Sequence, residues 1–305
     1  MKSLRSLTRL VVVAAGVLAA ASSFAATKTI QHHEGEITLD GVPKRVVVLG
    51  HGSLDTLDRL GVEPVGVVKA MMPTYLDKYQ DKKYAAMGSV KEPDFEAIYM
   101  AKPDLIIAEA RLREMMGELN KIAPTIMYAV DYGEYWKDTQ ANWRMLGEVF
   151  DKQTEADALI ANTQAKLDDT RAKAQASQMK AMMVMNNGSN LAMFNQGSRF
   201  SMVFDEFGFN PARSEEVKTT GSHGNLISFE YIADAKPDVI FVLDREQAIG
   251  KEIGKAKSRF NNVLVKSTPA SQNDRIVYLN PNAWYITMAG VTATDIMIDD
   301  IAQLF

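Results

Sequence analysis

Two arginines close two copies of one segment. FEAIYMAKPDLIIAEAR runs from Phe95 to Arg111 and FEYIADAKPDVIFVLDR from Phe229 to Arg245, with nine of the seventeen positions identical. A guanidinium is a planar, permanently charged fork of donors that suits oxygen anions. In each copy Phe-Glu opens a short helix, Ala-Lys-Pro-Asp ends it, and an apolar run makes a strand. The strand delivers its arginine at the carboxyl end, where open α/β sheets bind ligands. Two lobes face to face would bring Arg111 and Arg245 to one cleft. A packing unit with surface arginines is the other reading of the same pattern. The acids near the start, Glu96 and Glu230, fall in a first helical turn, where the helix dipole favours an anion.

The elements that must hold these residues follow from the apolar runs. RVVVLG (45–50), PVGVV (64–68), DLIIAE (104–109) and TIMYAV (125–130) read as buried strands, as do AMMVMN (181–186), VIFVLD (239–244) and RIVYLN (275–280). Segments with helical spacing, such as SLDTLDRLG and RLREMMGELNKIA, lie between most of them, which implies α/β units around parallel sheets. From Glu148 to Asn187 there is neither Gly nor Pro, and DKQTEADALIANTQAKLDDTRAKAQASQ predicts one long, mostly exposed helix. The expected architecture is α/β: two lobes with central, mostly parallel sheets, joined by a single backbone helix, with a ligand cleft between them. The expected boundaries are a signal peptide over 1–25, an N-terminal lobe over 26–142, the linking helix over 143–178 and a C-terminal lobe over 179–305.

Composition narrows the partners. Of 305 residues, 24% are charged and 47% hydrophobic, and the formal net charge is −4. No overall field attracts nucleic acid or an anionic membrane, so an anionic ligand must be held by a few placed cations. MKSLRSLTRL, VVVAAGVLAAA and SFA ending at Ala25 have the basic, apolar and small-residue parts of an export signal cleaved near Ala25. The chain contains no cysteine, hence no lipoprotein anchor, disulfide, thiolate metal site or cysteine nucleophile. A soluble, exported, monomeric protein is expected, periplasmic in a Gram-negative cell.

Other stretches carry less chemistry. LGHGSLD, a glycine-rich turn into a helix, lacks the third glycine of a dinucleotide fingerprint and the Gly-Lys-Ser/Thr of a phosphate loop; it is expected to put His51 and Ser53 at the cleft rim. QHHEGE (31–36) reads as an edge-strand or solvated segment before it reads as a divalent-metal site. Tyr75, Tyr84 and Trp284 are candidates to stack on aromatic ligand rings, with buried packing as the alternative for each. Paired methionines are core filler. No Gly-x-Ser-x-Gly elbow is present, which argues against an exported α/β hydrolase, and four histidines are too few for a free zinc or manganese carrier.

The helix–KPD–strand unit in both halves, the long central helix and the export signal resemble the helical-backbone periplasmic binding proteins that serve iron-siderophore and cobalamin ABC importers. Within that family SHGNLISFEYI, VLDREQAIG and NPNAWYIT resemble the ferric-catecholate binders of the enterobactin and vibriobactin type. The resemblance implies a binding protein and not an enzyme, with no permanent cofactor, whose cargo is an Fe(III)-siderophore complex. It implies three cargo-binding arginines at Arg111, Arg199 and Arg245, with Arg113 as the alternative to Arg111; Trp284 stands beside them as a ligand-binding candidate from its ring alone. It further implies two direct iron ligands, His223 in GSHGN and Tyr285 in NAWYIT. Fe(III) is a hard Lewis acid that ionises a nearby phenol and accepts imidazole. Last, it implies that Glu96 and Glu230 dock one lobe each onto the two permease subunits of the importer. The same scaffold with haem, cobalamin or a ferric hydroxamate is the neighbouring alternative.

Overall fold

Alternate residues of the buried strands serve separate cores, as a two-residue period requires. The computed structural model describes residues 27–213, 224–251 and 255–305, so the export segment and His223 lie outside the described residues. Strands β1 (Thr27–His32) and β2 (Gly35–Asp40) form an antiparallel hairpin whose turn carries His33 and Glu34, which is where QHHEGE belongs. The first lobe follows with β3 (Val46–Val48), β4 (Gly66–Val67), β5 (Ala85–Ala86), β6 (Leu105–Glu109) and β7 (Thr125–Tyr128). They make an all-parallel sheet in the order β5-β4-β3-β6-β7. Val46, Val48, Leu105 and Ile107 point into one core; Val47, Ile106 and Ala108 point into another.

The second lobe is a mixed sheet in the order β11-β9-β8-β12-β13, with β10 (Asn210–Pro211) paired to β8. Here β8 (Lys180–Asn187), β12 (Val239–Asp244) and β13 (Ile276–Tyr278) are parallel, while β9 (Asn190–Phe194) and β11 (Asn225–Ile227) run antiparallel to their neighbours. Its parity matches that of the first lobe. Met183, Met185, Phe241 and Leu243 enter the same core as Val48 and Ile107, so one continuous apolar mass joins the lobes. Met182, Val184, Ile240 and Val242 form a core on the far face.

The repeated segment is a strand-docking device. Helices α1 (His51–Leu60) and α2 (Phe95–Met100) belong to the first lobe, and α2 starts at Asp94, whose side chain accepts from the Ala97 N–H. The equivalent helix of the second lobe, Phe229–Ala235, starts at Ser228, which accepts from the Tyr231 N–H. Such caps contribute about 1 kcal/mol each. Lys102 and Lys236 then both turn at φ 47. The following Asp pins its strand to a neighbour: Asp104 accepts from the Lys44 and Arg45 N–H groups at 2.8 Å, and Asp238 from the Lys180 N–H at 2.9 Å. Those bonds set the registers Val46–Leu105 and Ala181–Val239 one residue later.

The link between the lobes differs from the single helix expected over 143–178. Helix α3 (Tyr135–Val149) stops, and α4 (Gln153–Ser177) begins after an elbow at 150–152. Asp151 makes the bend at φ 56, a left-handed turn that Asp tolerates without a Gly or Pro in the sequence to announce it. Gly147 lets the two helices meet, since a Cβ there would press on Ala156 and the Lys152 carbonyl. Helix α4 is mostly exposed as expected, with Ala156, Ile160, Thr163, Leu167, Thr170 and Ala174 buried along one face. The final helix, α5 (Val291–Ala302), does not stay with the second lobe: its N-terminus is held by Asp55 of α1, whose Oδ2 accepts from the Ala293 N–H at 2.9 Å. Among the described residues no helix is long and apolar enough to cross a membrane.

Candidate functional site

A cavity of about 650 Å³ opens between the carboxyl edges of the two sheets. Arg111 reaches it from the turn after β6, and Arg245 from the first residue after β12, so the repeated arginines meet across one space. Arg199 joins them from the turn between β9 and the short helix Met202–Asp205, and Tyr285 from the C-terminal segment. Arg113 and Lys91 also line it. Among the described lining residues five are basic and two acidic, Glu109 and Asp131, in a chain that is negative as a whole.

The two arginines after β6 are not equivalent. Arg113 Nε is paired with Glu34 of the hairpin at 2.6 Å, and His33 of the same turn lies 3.2 Å from Asp131. Arg111 forms no hydrogen bond or ion pair among the described residues, and it is exposed. A ligand anion meets Arg111 without displacing a protein carboxylate.

On the opposite wall three groups are locked together. Residues Asn282–Ile286 form a π-turn, closed by the Thr287 N–H donating to the Asn282 carbonyl at 2.9 Å. Tyr285 Oη accepts from Arg245 Nε at 2.9 Å, while Arg199 donates to the Tyr285 carbonyl at 3.0 Å and lies 4.3 Å from the ring centre. Arg245 is itself braced by Asn187 Oδ1 at 3.0 Å. Burial would raise the Tyr285 phenol, but the Arg245 hydrogen bond and the charges of Arg199 and Arg245 outweigh it and hold it below the ordinary tyrosine value. Burial and the nearby Arg111 charge lower the Arg199 guanidinium. The arrangement favours a phenolate and has cationic charge to spare for an anion.

Trp284 requires a correction. Its side chain is 0% exposed and its Nε1 donates to Asp300 at 2.9 Å, so it anchors the turn to α5 and presents no face to the cavity. Successive residues on a helical turn point in different directions, so Trp284 and Tyr285 do not share one. Tyr84 is buried against Tyr79 and bonded to Glu63, and Tyr75 is bonded to Thr287 Oγ1; neither lines the cavity. Tyr132 does line it and is half exposed. Its position in AVDYGEY, just past the carboxyl end of β7, was the available signal.

The glycine-rich turn also differs from expectation. His51 and Ser53 are fully buried, not at the rim. Ser53 donates to Glu109 Oε1 through N–H at 2.8 Å and through Oγ at 2.9 Å. A Cβ on Gly50 would overlap that carboxyl. The helix N-terminus is thus occupied by the protein's own acid, where a phosphate loop would hold phosphate.

Glu96 and Glu230 lie exposed in the first turns of their helices, in equivalent places on the two lobes. The second of them is held below the ordinary carboxyl value by hydrogen bonds from its own N–H and from Ser228.

Two α/β lobes, a helical link and a cavity of strand-end residues match one family along most of the chain, with the periplasmic binding protein model aligning over residues 46–283. The chain belongs to the periplasmic binding protein family. Its fold superposes on the crystal structure of the periplasmic catecholate-siderophore binding protein VctP from Vibrio cholerae with a TM-score of 0.86 and 44% identity, covering 90% of this chain and 99% of that one. The petrobactin-binding protein YclQ of Bacillus subtilis is 37% identical over 261 residues, 85% of this chain and 81% of the relative. The ferric-anguibactin-binding protein FatB of Vibrio anguillarum is 34% identical over 280 residues, 90% and 86% of the two chains. Membership of a binding-protein family agrees with the expectation that this chain is not an enzyme.

Proposed function

We propose that this periplasmic binding protein carries a ferric-catecholate siderophore, of the enterobactin or vibriobactin class, to an ABC importer for iron uptake. One observation carries the cargo assignment: Arg111, Arg199 and Arg245 converge from both lobes on one cavity, where Arg245 and Arg199 hold the Tyr285 phenol below its ordinary value. A ferric tris-catecholate is a compact trianion with aromatic faces. It needs planar cationic donors and ring surfaces, and here it finds guanidinium groups beside Tyr132 and Tyr285. The ligands named for VctP, YclQ and FatB support the same reading.

In this account Tyr285, with His223 from the segment outside the described residues, completes the iron shell of cargo that leaves coordination positions open. Glu96 and Glu230 dock the two lobes on the two permease subunits, which explains the repeat: each copy holds a docking acid at one end and a cargo cation at the other. The mature chain begins near Ala26 and works in the periplasm.

The test is an equilibrium titration of the mature protein, followed by fluorescence quenching, with a ferric tris-catecholate, a ferric trihydroxamate, haem and cobalamin. The catecholate is expected to bind on the order of a hundredfold more tightly than the others, as two or three charge-assisted contacts require. Equal or tighter binding of any of the other three overturns the cargo assignment.

A further inference from the structure

Two carboxyls line a cavity otherwise furnished for an anion: Asp131, which lies 3.2 Å from His33, and Glu109. Glu109 is the last residue of β6, and its Oε1 takes both donors of Ser53, with Gly50 left without a side chain to make room. No basic side chain forms an ion pair with it among the described residues. The scaffold does not demand an acid here: in the second copy of the repeat the same position is Leu243, fully buried in the shared core.

We propose that Glu109 is a proton-exchanging wall of the cargo site, taking a proton from solvent as a polyanionic ferric complex fills the cavity and returning it as the complex leaves. This rests on the ferric-catecholate reading above. Left ionised, Glu109 would face a trianion in a space shielded from water, where like charges repel strongly. Protonated, it carries no charge and offers an O–H donor to a catecholate oxygen.

The surrounding groups set the balance. Burial already raises the Glu109 carboxyl above its ordinary range, against the Ser53 bonds, the Arg111 charge and the Gly52 N–H. Arg113, Lys91, Arg199 and Arg245 around the cavity favour the ionised form until cargo neutralises them. Asp131 on the same cavity wall favours the protonated one, as does Asp55, an acid on α1. Tyr128 and Tyr135 stay neutral because burial raises both phenols, and His51 on α1 stays neutral because burial lowers it. Tyr285, whose phenol Arg245 and Arg199 hold below its ordinary value, adds negative charge on the far wall once ionised.

The experiment is titration calorimetry of the full mature protein with a ferric tris-catecholate in buffers of different ionisation heat, across neutral pH. Wild type, Glu109→Gln and Ser53→Ala are compared with the same ligand, so proton changes on the ligand cancel. Wild type is expected to take up a fraction of a proton that Glu109→Gln does not. That variant should bind about fivefold more tightly at alkaline pH and converge with wild type at acid pH. Ser53→Ala, which removes one donor from the carboxylate, should move the wild-type profile to higher pH. Equal proton uptake in wild type and Glu109→Gln overturns the proposal. So does a Glu109→Gln that folds with an unchanged melting temperature yet loses binding, or, if that variant does not fold, a Ser53→Ala profile that stays in place. A wild type that binds no ferric catecholate overturns the cargo reading along with it.

Discussion

Arg245 donates through Nε to the Oη of Tyr285 at 2.9 Å, tying the first residue after β12 to the Asn282–Ile286 turn. The bond and the adjacent charges hold the phenol below its ordinary value although burial pushes the other way. In Arg245→Gln the phenol loses that bond and one of its two neighbouring charges, so the Tyr285 titration should move up. Ultraviolet titration of phenolate formation, with Tyr285→Phe to identify the signal, reads this. A Tyr285 that titrates where it did before contradicts the pairing.

The same phenol separates two kinds of cargo. A ferric bis-catecholate leaves positions on the metal that Tyr285 and His223 are proposed to fill, whereas a tris-catecholate leaves none. Tyr285→Phe with His223→Ala should abolish the visible charge-transfer shift on adding the bis-catecholate complex and weaken it by roughly tenfold or more. The tris-catecholate should keep its affinity within about threefold. Equal losses for the two complexes would remove direct iron ligation.

Arg111 and Arg113 are two residues apart and differ in what they already hold. Arg113 is paired with Glu34, while Arg111 has no such partner among the described residues. Arg111→Gln is expected to cost roughly ten- to a hundredfold in affinity for a trianionic ferric complex, the worth of a charge-assisted contact. Arg113→Gln should cost less than about threefold, as for an exposed pair. The reverse order in a fluorescence titration would put Arg113 in the cradle.

Asp55 makes a prediction about stability. It is fully buried beneath the N-terminus of α5, and burial pushes its carboxyl up to about 6 despite the Ala293 and Thr292 hydrogen bonds. The folded chain therefore holds this proton more tightly than the unfolded one. The stability it contributes is present below about pH 4 and is lost as pH rises through about 6, a change on the order of 3 kcal/mol. Asp55→Asn lacks that loss, so its stability relative to wild type should rise by about this amount between pH 4 and pH 7. Urea unfolding at the two pH values measures it; a difference that does not change with pH rules it out.

Much of this was legible in the chain because it rests on local rules. Val239–Asp244 forms a strand as its apolar run dictates, and the Lys-Pro-Asp corner stops a helix and docks a strand in both lobes. Arg111 and Arg245 share a cavity because strand ends of α/β lobes converge there, while Arg199 and Tyr285, which only the family resemblance pointed to, reach it from turns. What could not be read depends on distant partners. The elbow at Asp151 is a backbone conformation without a breaker residue, and the choice between Trp284 and Tyr285 depends on Asp300 lying beneath the turn. Ser53 sank into the core to bond Glu109, and His51 to bond the Ala70 carbonyl, both partners distant in the chain.

The most direct test of the anion cradle is the affinity of a ferric tris-catecholate for wild type and for Arg199→Gln with Arg245→Gln, at low and at high salt. The double variant is expected to keep its fold, lose roughly a hundredfold or more in affinity, and show a weaker dependence on salt than wild type. A folded double variant that binds the complex as tightly as wild type, with the same salt dependence, would contradict the cradle.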